Sequence, residues 1–346
     1  MTLNKQPTHL SPIKIAGRHS EVSINDIKWD IANPDKLYFL SDETGYANLW
    51  FADLSKADSG IQLATKSLPH DLGEPMWKLG RSWYAIVSED TALVAPLVEG
   101  KRCLHHLHLL TGVMMKLNNE YCDVSNIHRV SSQEAIFSGG KYNSARKVVL
   151  VTLGTEAGQA TFRELDCSAD LCSESRMAAL GEDYISEGEH ITLSTFFQPR
   201  NSQTAVPTSR KVDLHVTLYS PLNPEYCAPD GQLPPALVMV HSGPTSRNPP
   251  TLKLLYQYFT TRGFAIVDVD YGGSSGYGRE YQSRLNARWG EVDVYDVSRA
   301  VVELGRLGKI DKDRVAIRGS SAGKSSTKSR EKSAPRYVGE LISRGR

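Results

Sequence analysis

No stretch of the 346-residue sequence approaches the roughly 18 consecutive apolar residues that a membrane-spanning helix needs. The amino terminus, Met-Thr-Leu-Asn-Lys-Gln-Pro, lacks the apolar segment of a secretory signal. An excess of one charge is missing too: 40 Lys and Arg stand against 39 Asp and Glu, which gives no reason to expect nucleic acid or an anionic membrane as a partner. Cysteine is sparse and odd in number, at positions 103, 122, 167, 172 and 227. Cys167 and Cys172 are spaced as metal ligands can be, yet no second pair or His-x-His lies close by to complete a site. These absences predict a soluble, cytoplasmic protein with structural thiols, no bound metal and no cofactor.

What is present divides in two. Residues 20 to about 205 read as short strands between turns, with no sustained helical period. Lys36-Leu-Tyr-Phe-Leu40 and Ala47-Asn-Leu-Trp-Phe51 flank Ser41-Asp-Glu-Thr-Gly-Tyr46, which has hairpin-turn chemistry. The rhythm recurs at Trp83 to Val87, Ala92 to Pro96, Cys103 to Leu110, Glu134 to Phe137 and Lys147 to Thr152. A period of about 40 residues is that of propeller blades, and predicts a partial β-propeller of four to five units; a sandwich of the same strands is the alternative. In His105-His106-x-His108 two imidazoles would share a strand face, and without an acidic third ligand a packed face is expected.

Past the polar, proline-bearing stretch from Gln198 to Ser209 the pattern changes. Val212 to Tyr219 alternates as a half-buried strand does, while Ala236-Leu-Val-Met-Val-His241 and Gly263 to Asp270 are apolar on both faces. Helical segments are expected at Thr251 to Arg262 and Val292 to Leu307, before a last strand at Val315 to Arg318. The alternation predicts a mainly parallel, doubly wound sheet with its chemistry at the strand carboxyl ends.

Three glycine-rich loops leave those ends. His241-Ser-Gly-Pro-Thr245 has the small residues that let backbone N–H groups face a substrate oxygen. Gly272-Gly-Ser-Ser-Gly276, within Asp270 to Gly278, matches G-x-S-x-G around Ser274, but its glycines resist a following helix. Gly319-Ser-Ser-Ala-Gly323 also matches G-x-S-x-G, with a strand before it, and makes Ser321 the candidate nucleophile. Continued to Ser325 it nearly spells a phosphate loop, but has three residues between the glycines where four are needed.

Four stretches in register carry more than any one motif: Pro234 to Thr245, Arg262 to Arg279, Arg288-Trp-Gly-Glu-Val-Asp-Val-Tyr-Asp296, and Arg314 to Gly323. Together they resemble the catalytic domain of the prolyl oligopeptidase family of serine peptidases, of the acylaminoacyl-peptidase and dipeptidyl-peptidase type. Phe39 to Trp50 is similar to the blades that precede this domain in the family. The resemblance implies an α/β-hydrolase capped by a propeller and a short-peptide substrate. It also implies Ser321 as nucleophile, the Ala322 N–H with that of Ser242 or Gly243 as oxyanion hole, and Gly319 and Gly323 as elbow glycines. The sequence departs from the family in having all ten histidines before Ser321 and its last aspartate at Asp313, whereas the family order is Ser, Asp, His. Ser242 and Lys324 also stand where the family usually has glycine. From Lys324 to Lys332 no apolar residue occurs, and the last 23 residues carry seven basic and two acidic side chains. The expected organisation is a tail at 1–19, a partial propeller at 20–205, a truncated hydrolase at 206–323 and a disordered basic tail at 324–346. On this reading the chain is inactive alone. The alternative function is a non-catalytic peptide- or protein-binding module built on the propeller.

Overall fold

The computed structural model describes residues 14–17, 21–56, 60–156, 158–165, 181–197 and 210–321. Within these, the alternating half of the sequence forms three open sheets, antiparallel except for one parallel pairing in the third. The first joins β1 (Ile24–Trp29), β2 (Lys36–Ser41), β3 (Asn48–Asp53) and β4 (Ile61–Leu63) in chain order. Its β2–β3 hairpin turns through Gly45, whose φ of +96° suits glycine and whose N–H donates to Asp42 O at 2.8 Å. The second sheet contains β5 (Tyr84–Ile86), β6 (Thr91–Val94), β9 (His105–His108) and β10 (Val113–Lys116). The third is built from β7 (Leu97–Val98), β8 (Lys101–Arg102), β11 (Asp123–Arg129), β12 (Glu134–Gly140), β13 (Lys147–Leu153) and β14 (Ala160–Leu165).

The sheets are held face to face by their alternating apolar positions. Tyr38, Leu40 and Leu49 of the first pack with Tyr84, Val94 and Leu107 of the second. Ala85 and Leu93 of the second pack in turn with Val124, Phe137 and Val149 of the third. Each such side chain taken fully out of water contributes about 1.5–3 kcal/mol before entropy is subtracted. The 40-residue period predicts four to five units before residue 205; among the described residues there are three sheets.

The next strand explains part of the difference. β15 (Glu189–Phe197) pairs along its whole length with β16 (Arg210–Tyr219), in the fourth sheet. The polar stretch 198–209, where the boundary at 205/206 is expected, joins two antiparallel neighbours of one sheet. That stretch itself lies outside the described residues, as do Cys167, Cys172 and the basic tail.

The fourth sheet runs β15-β16-β18-β17-β19, with β17 (Ala236–Val240), β18 (Ala265–Asp270) and β19 (Val315–Gly319). Only its β17–β18 and β17–β19 pairings are parallel; β16 is antiparallel to both β15 and β18. The expected mainly parallel sheet is thus a mixed one, since the alternating β15 and β16 form a hairpin pair at its margin whereas the apolar runs form the centre. Both faces are covered. On one, α3 (Val292–Arg306) buries Val297, Ala300, Val301 and Leu304 against Val216, Val238 and Val267. On the other, α1 (Leu254–Thr260) brings Tyr256 to Tyr219, Leu237 and Ile266. A short helix α2 (Gly278–Ser283) lies between them in sequence.

Candidate active site at the ends of the parallel strands

The ladder of the three parallel strands sets the site. Val240 is paired with Val269 on one side and with Gly319 on the other, so the loops after β17, β18 and β19 begin at one level of the sheet. Ser242 and Gly243 follow β17, Ser274 follows β18, and Ser321 follows β19 directly beside the β17 loop.

Ser321 is exposed and has φ of +52°, in the left-handed region. A non-glycine residue held there costs on the order of 1–3 kcal/mol and needs a local reason. A sharp turn at the end of a strand is such a reason. Ala322 and Gly323 lie outside the described residues; Gly319 closes β19 opposite Val240.

The β17 loop is the expected source of oxyanion-hole donors. Gly243 has φ of +74° and turns the chain, with Ser246 N–H donating back to its carbonyl at 3.0 Å. Ser242 is exposed and Gly243 partly so, and among the described residues neither N–H has an acceptor. Two backbone donors left unspent at one loop are what a developing oxyanion requires.

Ser274, the centre of the other G-x-S-x-G match, is placed differently. It is fully buried, and its Oγ lies 2.8 Å from His241 Nε2. The His241 Nδ1 faces the carbonyl oxygens of Gly243 at 3.2 Å and Ser242 at 3.4 Å, so Nδ1 carries the proton and Nε2 accepts from the Ser274 hydroxyl. His241 is itself 4% exposed and stacks on Tyr271 at 4.4 Å. This serine–histidine pair clamps the β17 loop to the β18 loop, and its burial keeps it from any substrate.

Other groups that sequence reasoning left without a role prove to fix the same loops. Asp296, on the inner face of α3, accepts from the Gly272 N–H at 2.8 Å, from Thr195 Oγ1 at 3.2 Å and from Arg284 Nη2 at 2.9 and 2.8 Å. Burial raises its carboxyl above the usual range, against the pull of Arg284. Asp270, likewise pushed up by burial, accepts from Tyr277 Oη at 2.6 Å. Arg247, at the far end of the β17 loop, is bound to Glu74 at 2.7 Å and to Asp123, both from the first half of the chain. Burial would lift the Glu74 carboxyl, but Arg247 and Arg102 hold it below its ordinary value. The signal for Asp296 was present in the stretch Arg288 to Asp296 as a charged residue among apolar ones, but no spacing rule says which N–H it will meet; Arg247 falls just outside the stretch Pro234 to Thr245.

The histidines of β9 have separate partners: Cys103 O for His105, Thr91 Oγ1 for His106 and Thr111 for His108. Among the described residues no group of three His, Cys, Asp or Glu side chains is placed to hold a metal ion, and no helix is long and apolar enough to cross a membrane.

Comparison with known proteins bears on the same region. Residues 250–328 match the model of the prolyl oligopeptidase family. The acylamino-acid-releasing enzyme of Rattus norvegicus is 35% identical over 112 residues, 32% of this chain and 15% of the relative. The crystal structure of puromycin hydrolase superposes with a TM-score of 0.74 at 29% identity, covering 91% of this chain and 43% of that one. A puromycin-hydrolyzing peptidase of Mycobacterium tuberculosis gives 0.73 at 30% identity, covering 89% and 43%. This chain thus spans less than half the length of the solved structures it matches. The fold likeness extends over both halves of the described chain, and the region from α1 through β18, α3 and β19 to the turn that carries Ser321 is similar to the prolyl oligopeptidase family.

Proposed function

We propose that this chain carries the nucleophile and oxyanion-hole portion of a serine peptidase acting on short peptides, with its first three sheets forming part of a propeller. Ser321 attacks the scissile carbonyl; the N–H groups of Ala322 and of Ser242 or Gly243 hold the resulting oxyanion. The observation that carries this reading is the exposed Ser321 at φ +52°, beside a loop with two N–H groups that have no acceptor among the described residues. Relatives supply the substrate class: a serine-to-alanine mutant of puromycin hydrolase is known in complex with PGG, and others are acylamino-acid-releasing enzymes and a dipeptidyl aminopeptidase. A binding module centred on the first three sheets is less favoured, because the family match falls on residues 250–328.

A serine hydroxyl is a weak nucleophile without a base. All ten histidines precede Ser321, and His241 spends both ring nitrogens on Ser274 and the β17 loop. The 346-residue chain alone is therefore expected to resist fluorophosphonate labelling. Replacing residues 324–346 by the segment that follows the nucleophile in puromycin hydrolase should restore labelling, at Ser321 by peptide mass spectrometry and abolished by Ser321→Ala. Labelling at another serine, or labelling that survives Ser321→Ala, would refute the assignment.

A further inference from the structure

Between the first three sheets and the β17 loop lies a cleft of about 410 Å³. Thr245, Ser246 and Arg247 form one wall, so it opens beside the candidate oxyanion hole; a Cβ on Gly243 would stand 3.6 Å from the ring of Trp77 in the same cleft. Its charge is lopsided. Lys78, Arg81, Arg146 and Arg247 line it against only Glu74 and Asp123.

Both carboxylates are already spent. Glu74 is bound by Arg247 and by Arg102, and Asp123 by Arg247 and Arg146. That leaves Arg81 and Lys78, neither of which has an acidic partner among the described residues. Arg81 lies over the ring of Trp83 at 5.7 Å and Lys78 over that of Trp77 at 4.8 Å. Two further polar groups of the lining are unmatched among the described residues: Trp83, only 4% exposed, has no acceptor there for its Nε1–H, and Asn126 no donor for its Oδ1. Asn126 is held there at φ +55°, at the bulge between Ser125 and His128 of β11.

We propose that this cleft binds a carboxylate of the peptide substrate, with Arg81 as its principal ligand and Lys78 adding charge at the rim. The inference rests on the chain's being a peptide-handling member of its family. A guanidinium set over an indole and excluded from other ion pairs offers two parallel N–H donors to a carboxylate, a fit that neutral peptide groups match only in part. The carboxylate is that of an acidic side chain or of a free carboxyl terminus; the chemistry is shared.

The test is binding by isothermal titration to the 346-residue chain, which does not depend on turnover. Three N-acetylated tripeptides differing only at the last residue are compared: Ala-Ala-Glu amide, Ala-Ala-Gln amide and Ala-Ala-Gln free acid. The glutamate amide, the free acid or both should bind about tenfold tighter than the glutamine amide, as expected of a charged hydrogen bond in a cleft. Which of them does so identifies the source of the carboxylate. Arg81→Gln should abolish the preference and the exposed Lys78→Gln reduce it, with Arg81→Lys restoring part. Equal affinity for all three peptides, binding by none, or a preference untouched by Arg81→Gln in a variant with wild-type circular dichroism overturns the proposal. If the chimera is labelled at Ser321 and no carboxylate preference appears, the cleft assignment alone fails; if labelling fails and the preference stands, the serine assignment fails instead.

Discussion

His215 sits in a cluster of near-parallel rings, 3.9 Å from that of Tyr277 and 5.5 Å from that of His190. Burial, and then the neighbouring His190 and Arg284, lower its pKa to about 3; burial lowers that of His190 as well. A neutral ring stacks without the cost of a desolvated charge. In the unfolded chain the same imidazole takes up a proton near pH 6.5. Between those two values the unfolded state binds more protons than the folded one, so stability is kept above about pH 6.5 and is lost as pH falls toward 3. Urea unfolding midpoints measured from pH 7 to pH 4 should fall less steeply in His215→Gln than in the parent chain, and parallel curves would remove His215 from the account. The sequence indicates none of this. His215 occupies one position of an alternating strand, and only the tertiary fold brings it against Tyr277 and His190.

At the scale of elements, legibility followed the burial pattern. The apolar runs of β17 and β18 and the alternation of β2, β3 and β16 are plain in the sequence because both faces, or one, are buried along their length. β10 is largely exposed and carries no such pattern, and in β11 the bulge at Asn126 breaks the period of two. The motif Arg288 to Asp296 was recognisable as a string, but its use became visible only when α3 was placed: it starts a helix whose Asp296 reaches through the core to the Gly272 N–H. Removing that carboxylate strands a buried Arg284 guanidinium and a backbone donor together. Asp296→Ala is expected to destabilise the fold by about 3–5 kcal/mol, as loss of one partner of a buried ion pair does. Guanidinium unfolding measures it, and a loss under 1 kcal/mol would mean that water replaces the carboxylate.

Across the whole molecule, the two halves are tied by few but buried polar contacts. Arg247 spans from the β17 loop to Glu74 and Asp123, the Gly278 N–H donates to Asp71 at 2.8 Å, and the Leu252 N–H donates to Lys141 O at 2.9 Å. Arg247→Met keeps the stem and leaves Glu74 and Asp123 each with one guanidinium fewer. A loss of about 3–5 kcal/mol is expected, nearly independent of added salt because the site is out of water. Denaturation at low and high ionic strength checks both parts: a small loss that varies with salt would describe a surface pair instead.

The placement of β15 also decides how this chain is divided in practice. A fragment started at residue 206 would begin with β16 stripped of its nine-residue antiparallel neighbour, and the complementary fragment would carry Glu189–Phe197 as a loose strand with a full row of unsatisfied amides. Both would be prone to stick to themselves, for reasons unrelated to what either half does in the intact chain. Cutting before Glu189 keeps the strand with its sheet, so a loss of binding or solubility seen after the later cut would report the cut.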